Sequence, residues 1–261
     1  MTATLSWTAA DNAASHELYF GIDTDAAKNA TTASPEYVGP KVLGAESYDP
    51  GKLAWKTAYY WRVDEVYPSE TVKGPVWSFE TAYFLTVDDF ESYNDIDPPD
   101  PNSNRIFDKW IDGFGTTTNG ALVGNDLPPY AEQSVVHGGQ QSMPYFYDNT
   151  DKTSEATLTL VQPRDWTEEG VTELSLWFRG ASANAAERMF VALGNSAVYH
   201  DDASATQIAG WNEWVIDLSA FGGSGVDLTN VSTITIGFGT KATPAAGGTG
   251  TMYFDDIRLY Q

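Results

Sequence analysis

"YFDDIRLY", residues 253–260, sets two adjacent carboxylates in the middle of a strand-like run. Strict alternation puts Asp255, Ile257 and Leu259 on one face and Phe254, Asp256, Arg258 and Tyr260 on the other. Either way an acid shares a face with apolar side chains. A carboxylate taken out of water is costly unless something pairs with it. What pairs with Asp255 and Asp256 is therefore the first question the chain poses.

The same texture recurs along the whole sequence. "HELYFGI" (16–22), "AYYWRVDEV" (58–66), "VWSFET" (76–81), "TELSLWFRG" (172–180), "NEWVIDL" (212–218) and "STITIGFG" (232–239) are rich in Tyr, Trp, Phe, Val, Ile and Thr. Gly, Asn, Asp and Pro separate them, as turns separate short strands. No segment keeps a 3.6-residue apolar period long enough for a core helix. The expected class is all-β, two β-sandwiches in series.

The seam falls near "ETAYFLTVDDFE" (80–91), giving expected domains of 1–82 and 83–261. The connection is too short for a flexible tether. The chain carries 36 acids against 14 bases, a net charge of −22. Most of the excess lies in the second part. A nucleic-acid binder needs a basic stripe, and there is none. There are no cysteines, which excludes disulfides, thiol nucleophiles and Cys-ligated zinc. No apolar run approaches the ~20 residues of a membrane helix. "MTATLSWTAAD" begins directly with strand-like residues; the expectation is a piece of a longer secreted chain whose signal preceded it.

Catalytic signatures are missing. His16, His137 and His200 lie in distant segments, and neither a HExxH nor a GxSxG pattern occurs. A glycosidase needs only two carboxylates at a set separation, for which "DIDPPD" or Glu213 could serve. The bland job of "WNEWVIDL", however, is core packing through Trp214, Ile216 and Leu218. The chain is therefore read as not an enzyme.

A site for a ring-shaped ligand wants an exposed aromatic side chain beside planar hydrogen-bonding groups. In "ELSLWFRG", Leu174, Leu176 and Phe178 share a core face, which turns Trp177 and Arg179 outward. Phe146 lies opposite Met143, Tyr145 and Tyr147, and Phe190 opposite Val191 and Leu193 if its strand keeps register. Trp177, Arg179, Phe146 and Phe190 are the candidate ligand-binding residues. The alternative for each is burial beneath a loop or the first domain.

Two resemblances add to this. "LSWTAAD" (5–11), "HELYFGID" (16–23), "GKLAWKTAYYWRVDEVY" (51–67) and "VWSFET" (76–81) resemble a bacterial fibronectin type III domain. In it Tyr59, Trp61 and Val63, with Trp7, should form the core, and its bland role is a spacer. "VDDFESYNDIDPP" (87–99), "RIFDKWIDGFG" (105–115), "YAEQSVVHGGQQSMPYFYDNT" (130–150), "DWTEEGVTELSLWFRG" (165–180), "WNEWVIDLSAFGG" (211–223) and "GTMYFDDIRLY" (250–260) resemble jelly-roll carbohydrate-binding modules.

The second resemblance implies that the first strand, "VDDFE", lies beside the last, "YFDDI", with a structural Ca2+ between them. Its implied ligands are Asp89, Glu91, Gln140, Asp255 and Asp256, since calcium takes six to eight oxygens. Without the ion, the acids would be solvated at an edge or paired with Arg258. The function implied is polysaccharide binding by a monomeric accessory piece of a secreted or cell-surface protein, alongside catalytic or adhesive domains of the same parent chain. The competing reading is a structural or adhesive spacer that binds no glycan.

Overall fold

The computed structural model describes residues 2–222 and 225–261, with the side chain of Glu169 left aside. The protein is all-β and divides into two compact units, residues 1–83 and 84–261. Among the described residues no helix is long and apolar enough to cross a membrane.

In the first unit, β2 (Ser15–Gly21) and β5 (Ala58–Val66) form the centre of a sheet. They are flanked by β3 (Tyr37–Val42), β6 (Thr71–Val72) and β7 (Val76–Glu80). The short strands β1 (Leu5–Ser6) and β4 (Ser47–Tyr48) pair as a second layer. Leu5, Leu18, Trp61 and Val63 make the buried cluster between the layers, with Trp7, Phe20 and Phe79 packed against it. Tyr59 is buried too.

The opposite face of β5 is not solvated. Arg62 is 1% exposed, covered by α1 (Thr24–Asn29). Its guanidinium donates to the carbonyls of Ala27, Lys28 and Ala30 at 2.5, 2.6 and 2.8 Å, and to Asp64 at 2.7 and 3.1 Å. These carbonyls end a helix and have no partner within it, so the arginine completes the helix terminus.

The second unit is a sandwich of two sheets. One runs β10 (Leu122–Val123), β11 (Met143–Lys152), β18 (Ala245–Tyr260), β13 (Glu173–Arg179), β16 (Asn212–Asp217), with β8 (Leu85–Asp88) also pairing β18. The other runs β15 (Ser196–Tyr199), β14 (Met189–Leu193), β17 (Thr233–Phe238), β12 (Ser154–Thr159), β9 (Trp110–Ile111). The sheets meet through aromatic rings: Phe238 lies 4.5 Å from Tyr147 and 5.2 Å from Tyr145. The Tyr145 hydroxyl crosses to the Ile236 carbonyl at 3.2 Å, so its polar end is satisfied inside the core. Leu174, Leu176, Phe178, Ile216 and Leu218 all face inward, as their period-2 pattern requires.

"YFDDIRLY" breaks its own alternation. Asp256 takes a left-handed φ of 48°, and the β18 ladder shifts register on both sides of it. This is a β-bulge, which inserts one residue and flips the parity beyond it. Phe254, Ile257 and Leu259 all reach the core, at 0% exposure each. Strict alternation could not have put all three there. Asp255 is left on the outer face, opposite Trp177.

Candidate functional site

The first strand does lie beside the last: Asp88 is opposite Ile257. Asp88 itself is a buried anchor. It accepts from the Tyr93 hydroxyl at 2.6 Å, the Trp110 indole at 2.8 Å and the Phe90 amide at 2.9 Å. Desolvation holds its carboxyl above the usual range despite these bonds.

Asp255 and Asp256 are buried at 0% and 4% exposure. They lie beneath the loop 135–142. Asp255 accepts from the amides of His137 at 2.9 Å, Gly138 at 3.2 Å and Asp256 at 2.8 Å. Asp256 meets His137 Nδ1 at 2.8 Å and accepts from Arg258 at 2.5 Å. Glu91 accepts from the amides of Gln140 and Gln141 at 2.8 and 2.9 Å. The Asp89 carboxylate turns back to the Glu91 amide at 3.2 Å. Desolvation pushes the Asp255 carboxyl up to about 6, against those amide bonds.

Two glycines make this loop possible. Gly139 has φ +63°, where an L side chain is strained, and a Cβ there would run into Glu91. A Cβ on Gly138 would run into Asp256. The loop backbone thus sits between Glu91 on one side and the aspartates on the other. The donor set suits a hard cation, being carboxylates beside a glycine turn. In this arrangement, however, the oxygens accept N–H groups. Among the described residues no three metal-ligating side chains converge.

The outer face of the first sheet carries the second feature. Leu122 lies opposite Phe146, and Phe146 opposite Thr251. Tyr253 lies between Pro144 and Arg179, and Trp177 between Asp255 and Glu213. Phe146 is 37% exposed, and Tyr253, Arg179 and Trp177 are half-buried. No hydrogen bond or ion pair holds the Arg179 side chain among the described residues. By strand spacing and rise, Phe146 and Trp177 stand roughly 16 Å apart along this face.

Trp177 is not bare. The His137 imidazole stacks on it at 3.7 Å, and His137 in turn meets Trp211 edge-on at 5.7 Å. The loop that covers the aspartates therefore covers one side of the indole. Phe190 corrects the sequence reading: it is fully buried. Its ring lies against Gly237 and Tyr199, 5.5 Å away. Both faces of β14 are covered, so a residue opposite the core set still finds no solvent.

Sequence reasoning passed over three parts of the site. Tyr253 shares a face with Asp255, and only the bulge at Asp256 separates that face from the core residues Ile257 and Leu259. His137 reads from the sequence only as a possible catalytic group. A groove of about 460 Å³ extends from Phe146 and Leu122 to the loops carrying Phe107, Phe114 and Tyr130. The signal for it was Phe114, a large apolar residue in the turn-rich stretch "DGFGTTTNG", which is 85% exposed.

No family model and no curated protein matches the chain. Among solved structures it is similar to the family 11 carbohydrate-binding module of cellulosomal cellulase Lic26A-Cel5E of Clostridium thermocellum. The identity is 17%, covering 58% of this chain and 93% of that one, with a TM-score of 0.35. TmCBM61 in complex with β-1,4-galactotriose is 13% identical, covering 54% and 88%, with a TM-score of 0.27. A β-1,2-glucanase from Parabacteroides distasonis is 19% identical over 53% of this chain, with a TM-score of 0.37. The chain spans 21% of the length of that enzyme. These likenesses assign no ligand and no residue role to this chain.

Proposed function

We propose that residues 84–261 form a non-catalytic polysaccharide-binding module of a larger secreted protein. The observation that supports this is the row of side chains across one outer sheet face: Phe146, then Tyr253 with Arg179, then Trp177. Rings offer stacking area and the arginine offers planar donors to hydroxyls. A rigid sheet holds them in place before the ligand arrives, which lowers the entropy cost of binding. On this reading residues 1–83 are a fibronectin type III-like spacer, and the module holds its parent's catalytic or adhesive domains near their polymer.

Affinity gels containing a panel of neutral polysaccharides test the proposal. One polymer should retard the whole chain, and Arg179→Ala should weaken that binding about tenfold or more while the melting temperature stays fixed, because a charged donor is lost. Tyr253→Ala should weaken it similarly. Retardation by no polymer would leave the spacer reading in its place.

The structural calcium is a separate proposal. Asp89, Glu91, Gln140, Asp255 and Asp256 would hold it, and what supports this is the pair of buried adjacent carboxylates packed, with Glu91, against the Gly138–Gly139 turn. Calcium in hundredfold excess over Kd should stabilise the protein by about 3 kcal/mol, read as a raised melting temperature that chelator reverses and Glu91→Ala abolishes. Identical melting curves with calcium and chelator, on protein free of metal by mass spectrometry, would remove the ion from the account.

A further inference from the structure

The groove beside Phe146 differs in chemistry from the rest of the sheet face. Its apolar part is unusually open: Phe114 is 85% exposed, Leu122 42% and Phe146 37%. Phe107 and Tyr130 form a T-shaped pair at 5.0 Å in the same wall. At about 460 Å³ the space is of ligand size rather than solvent-sized. Rings bared around a concavity are the natural receptor for the C–H face of a sugar.

The polar part of the same groove is anionic. Asp108, Asp112 and Asp126 line it, with Arg105 as the one basic residue. Arg105 is already committed, to Asp108 at 2.8 Å and to Asp97 at 2.8 Å. Asp112 is tied to the amides of Phe114 and Val123, at 2.8 and 2.7 Å. Asp126 is exposed, and no hydrogen bond or ion pair occupies it among the described residues. A sulfate or carboxylate on the ligand would meet uncompensated like charge here. An ammonium would meet opposite charge and the negative faces of phenylalanine rings.

We propose that this groove binds an amine-bearing sugar, a glucosamine-type unit of a polysaccharide, with the ring on Phe146 and Phe114 and the ammonium toward Asp126. The proposal rests on the glycan-binding reading and specifies its sugar class. It makes selectivity a product of two elements, stacking that any pyranose can use and a carboxylate that only a protonated amine rewards.

Calorimetry of the whole chain against four hexamers tests it. These are β-1,4-linked glucosamine, its N-acetylated counterpart, cellohexaose and lysine hexamer, each at about 50 mM and 300 mM salt. The expected result is glucosamine binding at least tenfold tighter than the acetylated hexamer at low salt. The preference should shrink as salt screens it. Asp126→Asn should cut glucosamine affinity about three- to tenfold and leave cellohexaose unchanged. Phe114→Ala should weaken glucosamine without altering the fold. Equal affinity for the three glycans overturns the amine assignment while keeping the glycan-binding reading. Lysine hexamer binding as tightly as glucosamine, or Asp126→Asn and Phe114→Ala without effect, reduces the attraction to bulk charge and also overturns it. Binding of no hexamer, together with no polysaccharide in the affinity gels, overturns both.

Discussion

In residues 1–83 a buried cation, Arg62, is paired with a buried carboxylate, Asp64. Arg62 lies among three helix-end carbonyls and one carboxylate, and its five hydrogen bonds leave it matched on every side. In residues 84–261 two buried anions lie side by side: Asp255 accepts backbone amides, while Asp256 meets the His137 ring and the Arg258 guanidinium. The cation's donors are a rigid fork that meets fixed acceptors. The anions are adjacent, repel each other, and depend on a glycine loop that must stay in place. Burying the arginine completes a helix, whereas burying the aspartates leaves Asp255 with a carboxyl raised to about 6. The first arrangement is closed; the second can still gain from another ligand or cation.

The closed site should be the most sensitive point of the chain. Arg62→Met should cost about 3–5 kcal/mol, because Asp64 is left charged and buried without a counterion and three carbonyls lose their donor. Hydrogen exchange of the whole chain should place the loss in residues 1–83 and spare the strands of the second unit. A loss below about 1 kcal/mol would mean that water enters and replaces the guanidinium, and that the site is less closed than its hydrogen bonds suggest.

The second expected effect reads the open site through pH. The folded chain holds Asp255 at about 6, against about 3.9 for an unfolded aspartate. Below pH ~4 both states carry the proton, and its contribution to stability is complete. Between ~4 and ~6 the folded state keeps a proton that the unfolded state has released, so stability falls as pH rises. Above ~7 the loss levels off at about 3 kcal/mol. Urea titrations in chelator across this range should show the decline, and Asp255→Asn should remove it. Stability that rises with pH through the same window would show the anion fully compensated by its amides.

The two sites were legible to different degrees in the sequence. Period-2 patterns exposed the core faces of β13, β16 and β11, because burial on one side and solvent on the other leave that trace. The pattern failed where neither face of a strand is solvated. Arg62 follows its alternation and is still buried, since α1 covers that side; Phe190 is lost in β14 for the same reason. "YFDDIRLY" failed differently. A bulge is a backbone event at Asp256, and nothing in residue type alone marks where parity flips. Segments distant in sequence, such as Glu91 and 137–141, were brought together by the resemblance to jelly-roll modules rather than by spacing. The stacking of His137 on Trp177 depended on the loop's path and left no trace in sequence.

The smallest expected effect repeats the first substitution at the other arginine. Arg258 makes one ion pair, to Asp256, and its guanidinium lies 4.1 Å from the centre of the Phe84 ring. Its Nε is buried without a hydrogen-bond partner, which is a standing cost that methionine would not carry. Asp256 would still have His137 Nδ1 at 2.8 Å. The methylene stem packs on the phenylalanine, and methionine keeps most of that contact. Arg258→Met should therefore cost less than the same change at Arg62, because Asp256 keeps a side-chain partner and no helix carbonyls lose a donor. Denaturant titrations of the two variants at pH 7 make the comparison directly. Equal losses would mean that Arg258 is the true counterion of the acid pair, and that the second unit closes its charges with a side chain, as the first does, rather than with its loop.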